Sequence, residues 1–412
     1  MRKYMPFVML TLFLAIFLGF RFAHSTNEKR KDKDELYRQV EIFSDTLAII
    51  QNDYVDQVKP KDLIYGALKG MISSLDPHSQ FMDPDTYNEL KVDTEGKFGG
   101  LGIEITIKEG LLTVITPLED TPAWRAGIKP NDHIIKINDD LTREMTITDA
   151  VKRMRGKVGE SVTLSVLRDT EKKLLDFKIT RAMIKIKDIK HALILENGIG
   201  YIRLTEFREN TLQEFNNALS NLSKQGMKAL IIDLRNNPGG LLDVAVKITG
   251  KFLSSNKLIV YTKSRRDDQN FKFYSEGKSP ICELPLVVMI NEGSASGSEI
   301  VAGALQDYKR AIIIGRKSFG KGSVQTVIPL GEGSALRLTT SRYFTPSGKI
   351  IHGLGVTPDI IIAADSHPAI GGEDRQGQPV SLDIKDTFDY KADSQITRAV
   401  DALKVLRLCN EK

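Results

Sequence analysis

The sequence predicts an α/β core with a mostly parallel sheet, joined by a small β-rich unit and an N-terminal helical segment. Three observations carry this. From about residue 185, apolar runs alternate with amphipathic stretches, the rhythm of strands linked by crossover helices. Residues 96–182 instead hold short alternating strands separated by Gly, Asn and Asp turns. Between 36 and 50, apolar residues recur at spacings of four and three. With 412 residues, 41% of them hydrophobic, the chain can build two or three domains with proper cores.

The first segment, 1–24, reads as an export signal. Arg2 and Lys3 precede MPFVMLTLFLAIFLGF, sixteen residues from Met5 to Phe20 without a charge. That is long for a cleaved signal core and slightly short for a full span. FRFAHS is a poor cleavage site. The expectation is an uncleaved signal-anchor, with a cleaved signal as the alternative. Basic residues at the front leave the remainder outside the cytoplasm. The protein is then membrane-anchored and faces the periplasm or the extracellular side, or is soluble in the periplasm if the signal is removed.

Segment 25–95 starts with the charged spacer STNEKRKDKDE. Leu36, Val40, Phe43, Leu47 and Ile50 then mark a helical seam, which fits a homodimer contact or docking on the chain's own domain. A second helix, KDLIYGALKGMISSL, starts after Pro60 and ends at the turn DPHSQFMDP. In 96–182, LGIEITI and LLTVIT are strands joined at Glu109-Gly110. TPAWRAGIKPND is a short helix with a Gly stop, and HIIKIN a strand. TDAVKRMRG is a helix closed by Gly156, and SVTLSVLRD with KLLDFKITR a hairpin. In 183–362, GIGYIRL, KALIIDL, LPLVVMIN and RAIIIG are strands. ENTLQEFNNALSNLSKQG, LLDVAVKITGKFL and SEIVAGALQDY are the helices between them, and SVQTVIPL and SALRLTTSRYF are further strands. Residues 363–412 form a C-terminal extension.

Several function classes are excluded. No basic stretch interleaves with aromatics as nucleic-acid grooves require, and the net charge of +5 is small for the length. Cys282 and Cys409 are too few for a disulfide framework and lack metal spacing. IIIGRKSFGKGSVQT matches most of the phosphate-loop pattern G-x-x-x-x-G-K-[ST]. ALIIDL, ending on Asp233, resembles a magnesium-binding strand. A phosphate loop, however, needs a helix directly after its lysine. Lys321 is followed by the alternating Ser323–Ile328 and by Pro329, and Gly322 stands where the hydroxyl should be. GGLGIEI leads into a strand and lacks the third Gly of a dinucleotide loop.

Three stretches carry chemistry. VVMINEGSASGSEIVAGAL runs from a buried strand through small residues into a helix, which is how a nucleophile is displayed. The helix start adds positive potential where an oxyanion would form. Ser296 and Glu299 equally fit the S-x-x-E capping box, so a cap and a nucleophile both stand as readings. None of His24, His78, His133, His191, His352 and His367 sits in a triad motif. A lysine can replace histidine as base if burial favours its neutral form, and Lys321 follows a buried strand. DLRNNPGGLLD lies at the carboxyl end of a buried strand and can offer a backbone N–H to an oxyanion, or be a plain turn.

Together these stretches resemble the carboxyl-terminal processing, or tail-specific, serine peptidases. The resemblance covers roughly residues 36–405, in order. It rests on SLDPHSQFM, FGGLGIEI, DTPAWRAGIKPNDHIIKIND, DLRNNPGG, NEGSASGSEIVAGALQD, GRKSFGKGSVQT and GLGVTPDI. It implies a ClpP/crotonase-like peptidase core with 96–182 inserted as a PDZ domain. It implies Ser296 as nucleophile, Lys321 as general base and Gln325 as the residue that orients the lysine. Gly297, where the family commonly has Ala, supplies one oxyanion N–H, and Gly239 or Gly240 the other. The loop Gly100-Leu101-Gly102-Ile103 is implied to hold a terminal carboxylate, while the substrate tail adds as a strand beside it. The implied partners are protein or peptide substrates with free apolar C-terminal tails, and the membrane through the N-terminal segment. No nucleic acid, metal or organic cofactor is implied.

Overall fold

The computed structural model describes residues 34–118, 120–168, 171, 173–277, 283–362 and 388–410. The expected signal-anchor, Cys282 and most of 363–412 before residue 388 lie outside them. The described residues divide into two compact units, broken after Asp83.

The first unit carries helix α1, described over 34–53, helix α2 (Pro60–Ser73) and strand β1 (Gln80–Met82). Leu36, Val40 and Phe43 of the α1 seam are exposed. Pro60 opens α2 at a position where its missing N–H costs nothing. The DPHS turn is locked by Asp76, whose carboxylate accepts from His78 N, Ser79 N and Ser79 Oγ, each at 2.8 Å. Among the described residues, no helix is long and apolar enough to cross a membrane.

The second unit starts with α3 (Pro84–Glu95) and β2 (Lys97–Gly100). The small β-rich domain follows. Its sheet contains β3 (Ile103–Lys108), β4 (Leu111–Pro117), β5 (His133–Ile137) with the short β6 (Asp140–Leu141), β7 (Ser161–Arg168) and β8 (Lys173–Thr180), in the order β3-β4-β5-β7-β8. Strand β9 (Ala182–Lys185) returns to pair antiparallel with β2, so both ends of the domain leave through one two-stranded ribbon. Alternation places Leu112 and Val114, and Leu164 and Val166, in the core, and an irregularity in β5 after Ile134 brings Ile137 in beside it. Helix α4 (Pro122–Ala126) ends on Gly127 at φ 87°, the expected glycine stop. Helix α5 (Ile147–Met154) begins with a Thr146–Asp149 capping box.

The end of α5 departs from expectation. Arg155 is extended and Gly156 has φ 159°, so neither is a left-handed cap. The last carbonyls are instead held by Arg181, whose guanidinium donates to Met154 O (2.9 Å) and Arg153 O (2.8 Å). A Cβ on Gly156 would lie 2.9 Å from that guanidinium, which is why glycine stands there.

The core sheet contains β10 (Ile189–Ile194), β11 (Ile199–Leu204), β12 (Ala229–Asp233), β15 (Leu286–Ile290), β16 (Ile312–Gly315) and β19 (Ile360–Ile361), in that spatial order. Only β10 is antiparallel to its neighbour. Helices α6 (Thr211–Lys224), α7 (Leu242–Gly250) and α8 (Gly297–Asp307) cover one face, packing on Leu230, Ile232, Val288 and Ile290. Helix α9 (Ser394–Asn410) covers the other with Ile396, Ala399, Val400 and Leu403 against Ile231, Val287 and Met289. Coverage of both faces explains why β12 and β15 read as continuous apolar runs. Beside this sheet, β18 (Ala335–Phe344) pairs with β17 (Ser323–Pro329) and β13 (Leu258–Ser264), and β13 with β14 (Lys272–Tyr274), all antiparallel.

Candidate active site

Strands β12, β15 and β16 lie side by side and parallel, so the loops leaving their carboxyl ends meet at one edge. Those loops are DLRNNPGG, NEGSAS and GRKSFGK. Asp233, at the root of the first, is fully buried; it accepts from Arg235 at 2.7–3.1 Å and from Tyr201 Oη at 2.7 Å. Burial pushes its carboxyl up, but Arg235 wins and holds it below the ordinary value. Its oxygens therefore serve an internal ion pair rather than a cation at a strand end. Among the described residues no cluster of His, Cys, Asp and Glu could hold a metal. Lys321 is followed by β17, not by a helix, which removes the phosphate-loop reading.

Ser296 sits at the N-cap of α8 with φ 55° and ψ −112°, a strained conformation for a residue with a Cβ. Its neighbours Ser294 and Ser298 are fully buried, and their hydroxyls donate to Leu234 O (2.7 Å) and Asn237 O (2.9 Å). Those two serines tie the turn to the DLRNNPGG loop. Ser296 is half-buried, and its Oγ makes a 2.7 Å hydrogen bond to Tyr343 Oη. Glu299 Oε2 accepts from Ser296 N at 2.9 Å, so the residue has a capping role through its backbone while its hydroxyl is engaged elsewhere.

Glu299 does more than cap. Its buried carboxylate also accepts from Lys321 N (2.8 Å, on the same Oε2) and from Gly320 N (2.7 Å) and Ser318 Oγ (2.5 Å) on Oε1. One side chain thus anchors the backbones of the serine turn and the lysine loop. Burial raises its carboxyl above the usual 4.5, against the pull of these four donors. Ser318 Oγ in turn accepts from Val356 N at 2.7 Å.

Lys321 is partly buried, and Nζ makes no hydrogen bond or ion pair within the described residues. Burial pushes its ammonium below the ordinary 10.5, Arg337 adds to this, and Glu299 opposes it. Gln325 lies at a bulge in β17; its amide donates to Ser323 Oγ (2.9 Å) and Thr339 Oγ1 (3.5 Å). Glu299 therefore brings the backbones of Ser296 and Lys321 together, while Gln325 is engaged within its own hairpin and no hydrogen bond joins any two of the three side chains. The glycines beside Lys321 make room for the chain itself. A Cβ on Gly322 would stand 2.3 Å from His352 N, and one on Gly320 3.1 Å from Gly355 N.

The oxyanion candidates differ. Gly297 N has no hydrogen-bond partner among the described residues, and its Cα is pressed by Phe207, 3.2 Å from a would-be Cβ. Gly239 packs against the serine: an added Cβ would lie 2.6 Å from Ser296 Cβ. Its N–H already donates to Asn237 Oδ1 at 2.8 Å. Gly240 is exposed and its N–H is unbonded within the described residues.

In the small domain, Gly100 ends β2 and Ile103 begins β3, with Leu101 buried and Gly102 at φ 78° between them. Gly102 is forced by Thr121, whose Cβ would be 2.4 Å from an added methyl. β3 is the edge strand of its sheet, so one row of its backbone groups has no strand partner.

Sequence reasoning missed Tyr343 and the bridging role of Glu299. Tyr343 reads as one more alternating strand residue, and Glu299 as a cap.

A half-buried serine displayed on a strained turn at the carboxyl edge of a parallel sheet fits serine hydrolase chemistry. The profile of peptidase family S41 matches residues 198–362, that of the CtpB N-terminal domain 19–86 and that of a PDZ domain 113–168. A carboxy-terminal-processing protease of Bartonella bacilliformis is 44% identical over 335 residues, 80% of this chain and 76% of that one. The carboxy-terminal processing protease CtpB of Bacillus subtilis is 34% identical, over 85% of this chain and 72% of that one. Among solved structures, a photosystem II D1 C-terminal processing protease aligns with 30% identity and a TM-score of 0.45, over 78% of this chain and 92% of that one. The chain belongs to the carboxy-terminal-processing proteases of peptidase family S41, serine peptidases that here carry a PDZ domain.

Proposed function

We propose that the protein is an endopeptidase that cleaves exported proteins near their C-termini with a Ser296–Lys321 dyad, the PDZ domain recognising the substrate tail. The observation that carries the dyad is the Glu299 carboxylate, on which the backbone N–H groups of Ser296 and Lys321 share one oxygen. Ser296 Oγ attacks the scissile carbonyl while neutral Lys321 takes its proton and passes it to the leaving amine. Lys321 then activates the water that releases the acyl group. Gln325 orients the lysine amine in the substrate complex, where catalytic hydrogen bonds commonly tighten. Gly297 N–H is one oxyanion donor. Gly240 supplies the second more readily than Gly239, whose N–H would have to leave Asn237.

The tail carboxylate meets the loop Gly100–Ile103, and the tail adds to the open edge of β3. The peptidase core is read as ClpP/crotonase-like, with its site at the carboxyl edge of a mostly parallel sheet. The N-terminal segment places the enzyme on the outer side of the membrane, and the exposed α1 seam serves as a homodimer contact. Incubation of the soluble part with a protein bearing a disordered apolar tail, followed by product masses, tests the activity. Ser296→Ala and Lys321→Ala each abolish it while the fold persists. Lys321→Arg is also inactive, because arginine stays charged. Ser298→Ala, which loses one buried hydrogen bond, and Ser294→Ala, which loses the bond to Leu234 O and the one accepted from Asn291 N, cost about 1–3 kcal/mol of stability and keep most activity. Full activity in Ser296→Ala would sink the dyad.

A further inference from the structure

We propose that Tyr343 is a third catalytic group, whose phenol donates a hydrogen bond to Ser296 Oγ and stabilises the charge that gathers there during acylation and deacylation. This rests on Ser296 being the nucleophile.

Tyr343 is 3% exposed and belongs to the main core cluster. Its backbone N–H donates to Gly322 O at 2.9 Å, which ties it to the residue after Lys321. Its strand is thereby tied to the lysine loop, and its hydroxyl reaches the serine. Among the described residues, Ser296 Oγ is the one hydrogen-bond partner of its hydroxyl. A buried hydroxyl proton left unpaired is costly, so the phenol donates and Oγ accepts. Burial pushes the phenol above its ordinary 10, so it keeps the proton throughout the working range.

This settles where the serine's own proton goes. With one lone pair of Oγ taken by Tyr343, the Ser296 hydroxyl is free to donate to Lys321 Nζ, which has no other partner among the described residues. In acylation the Oγ–C bond forms and the C–N bond breaks. The serine proton moves to Lys321 Nζ and then to the departing amine. In deacylation water attacks, its proton passes to Lys321, the C–Oγ bond breaks, and Oγ recovers a proton from Lys321. Tyr343 transfers nothing. Its bond is strongest while Oγ is most negative, at the two barriers, and weaker to the neutral hydroxyl or ester. Such differential binding accelerates the chemical step.

The test is Tyr343→Phe in the full soluble enzyme, which removes one oxygen and keeps the ring in the core. Three quantities are measured beside Ser296→Ala: kcat and KM on a tail substrate, the rate at which a fluorophosphonate labels Ser296, and the thermal midpoint. The expected result is a drop in kcat of about tenfold to hundredfold, below the roughly hundred- to thousandfold cost of losing an oxyanion-hole donor because Oγ carries less of the developing charge than the carbonyl oxygen. KM is unchanged, labelling slows in parallel and the midpoint hardly moves. A structural role alone would shift KM and the midpoint together with kcat. Unchanged or increased kcat and labelling in Tyr343→Phe, with Ser296→Ala inactive, overturns the role of Tyr343 and leaves the dyad standing. Activity in Ser296→Ala overturns the dyad itself.

Discussion

Replacing Glu299 by Gln changes one atom of a fully buried side chain and should disable two loops at once. The carboxylate accepts four hydrogen bonds, two on each oxygen. In the Glu299→Gln variant one oxygen becomes an NH2 group. With the NH2 toward Ser296 N and Lys321 N it faces two fixed donors; toward Gly320 N and Ser318 Oγ it faces one, because the hydroxyl can turn and accept, so the amide takes the second orientation. The charge-assisted bond from Gly320 N, about 1.5–3 kcal/mol, is then lost, its N–H is left buried and unpaired, and the remaining bonds are weakened to those of a neutral acceptor. Removal of a buried charge returns part of this, leaving a net loss of about 3 kcal/mol, on the scale of breaking a buried pair. For a core of this size that lowers the melting midpoint by about 6–12 °C. Well below the midpoint the enzyme is still folded, but the lysine loop has lost its anchor at Gly320, the residue before the base. A displacement of about 1 Å between base and nucleophile costs about a hundredfold in rate. Scanning calorimetry and kcat/KM on a peptide measure the two effects. A midpoint within about 2 °C of the parent, with kcat/KM within about threefold, would refute the bridge, since neither is compatible with a buried N–H facing the amide.

Two further outcomes follow from the same geometry. Catalysis needs neutral Lys321, so kcat/KM should rise with pH along a limb centred below the ordinary lysine value of 10.5, because burial and then Arg337 depress it. Arg337→Gln removes one depressing charge and should move that limb to higher pH while keeping the plateau; an unmoved limb contradicts the assignment of Lys321 as the titrating base. Amidating the C-terminus of a tail peptide should weaken its binding by about 1–3 kcal/mol, the range of a charge-assisted hydrogen bond, because the amide loses charge and adds a misplaced donor. Equal cleavage of free and amidated tails by the intact enzyme would rule out carboxylate capture at Gly100–Ile103.

The core was legible where one physical rule dominates. Strands β12 and β15 are buried on both faces, and such strands leave unbroken apolar runs in the sequence. The absence of a helix after Lys321 was legible from the β-branched alternation of 323–328. What stayed hidden depends on contacts distant in the chain. Arg181 closes α5 across a gap that no local pattern encodes. The glycines around Lys321 answer to the 352–355 backbone, which can be known only once that loop is seen folded against them. Tyr343 is an alternating strand residue like its neighbours, and its meaning lies in a single oxygen that reaches Ser296. Glu299 announced half its role through the capping box; the other half needed the β16 loop. Helix α9 did leave a signal, apolar residues at 396, 399, 400 and 403, but a long polar stretch before it made it read as an appendage.

Helix α9 has a consequence in time. It supplies one entire layer of the core and, through Asp393, a second carboxylate for Arg235, two residues before Asn237 and the glycines beside the nucleophile. A ribosome delivers this chain from residue 1 onward, so the serine, the lysine and the glycine loop are all made while the underside of their sheet is still bare. A nascent chain that stops short of residue 394 carries every reacting group and lacks the floor that holds them in register. Until α9 arrives, the sheet that carries the three loops lacks the apolar cover that Ile396, Ala399, Val400 and Leu403 provide.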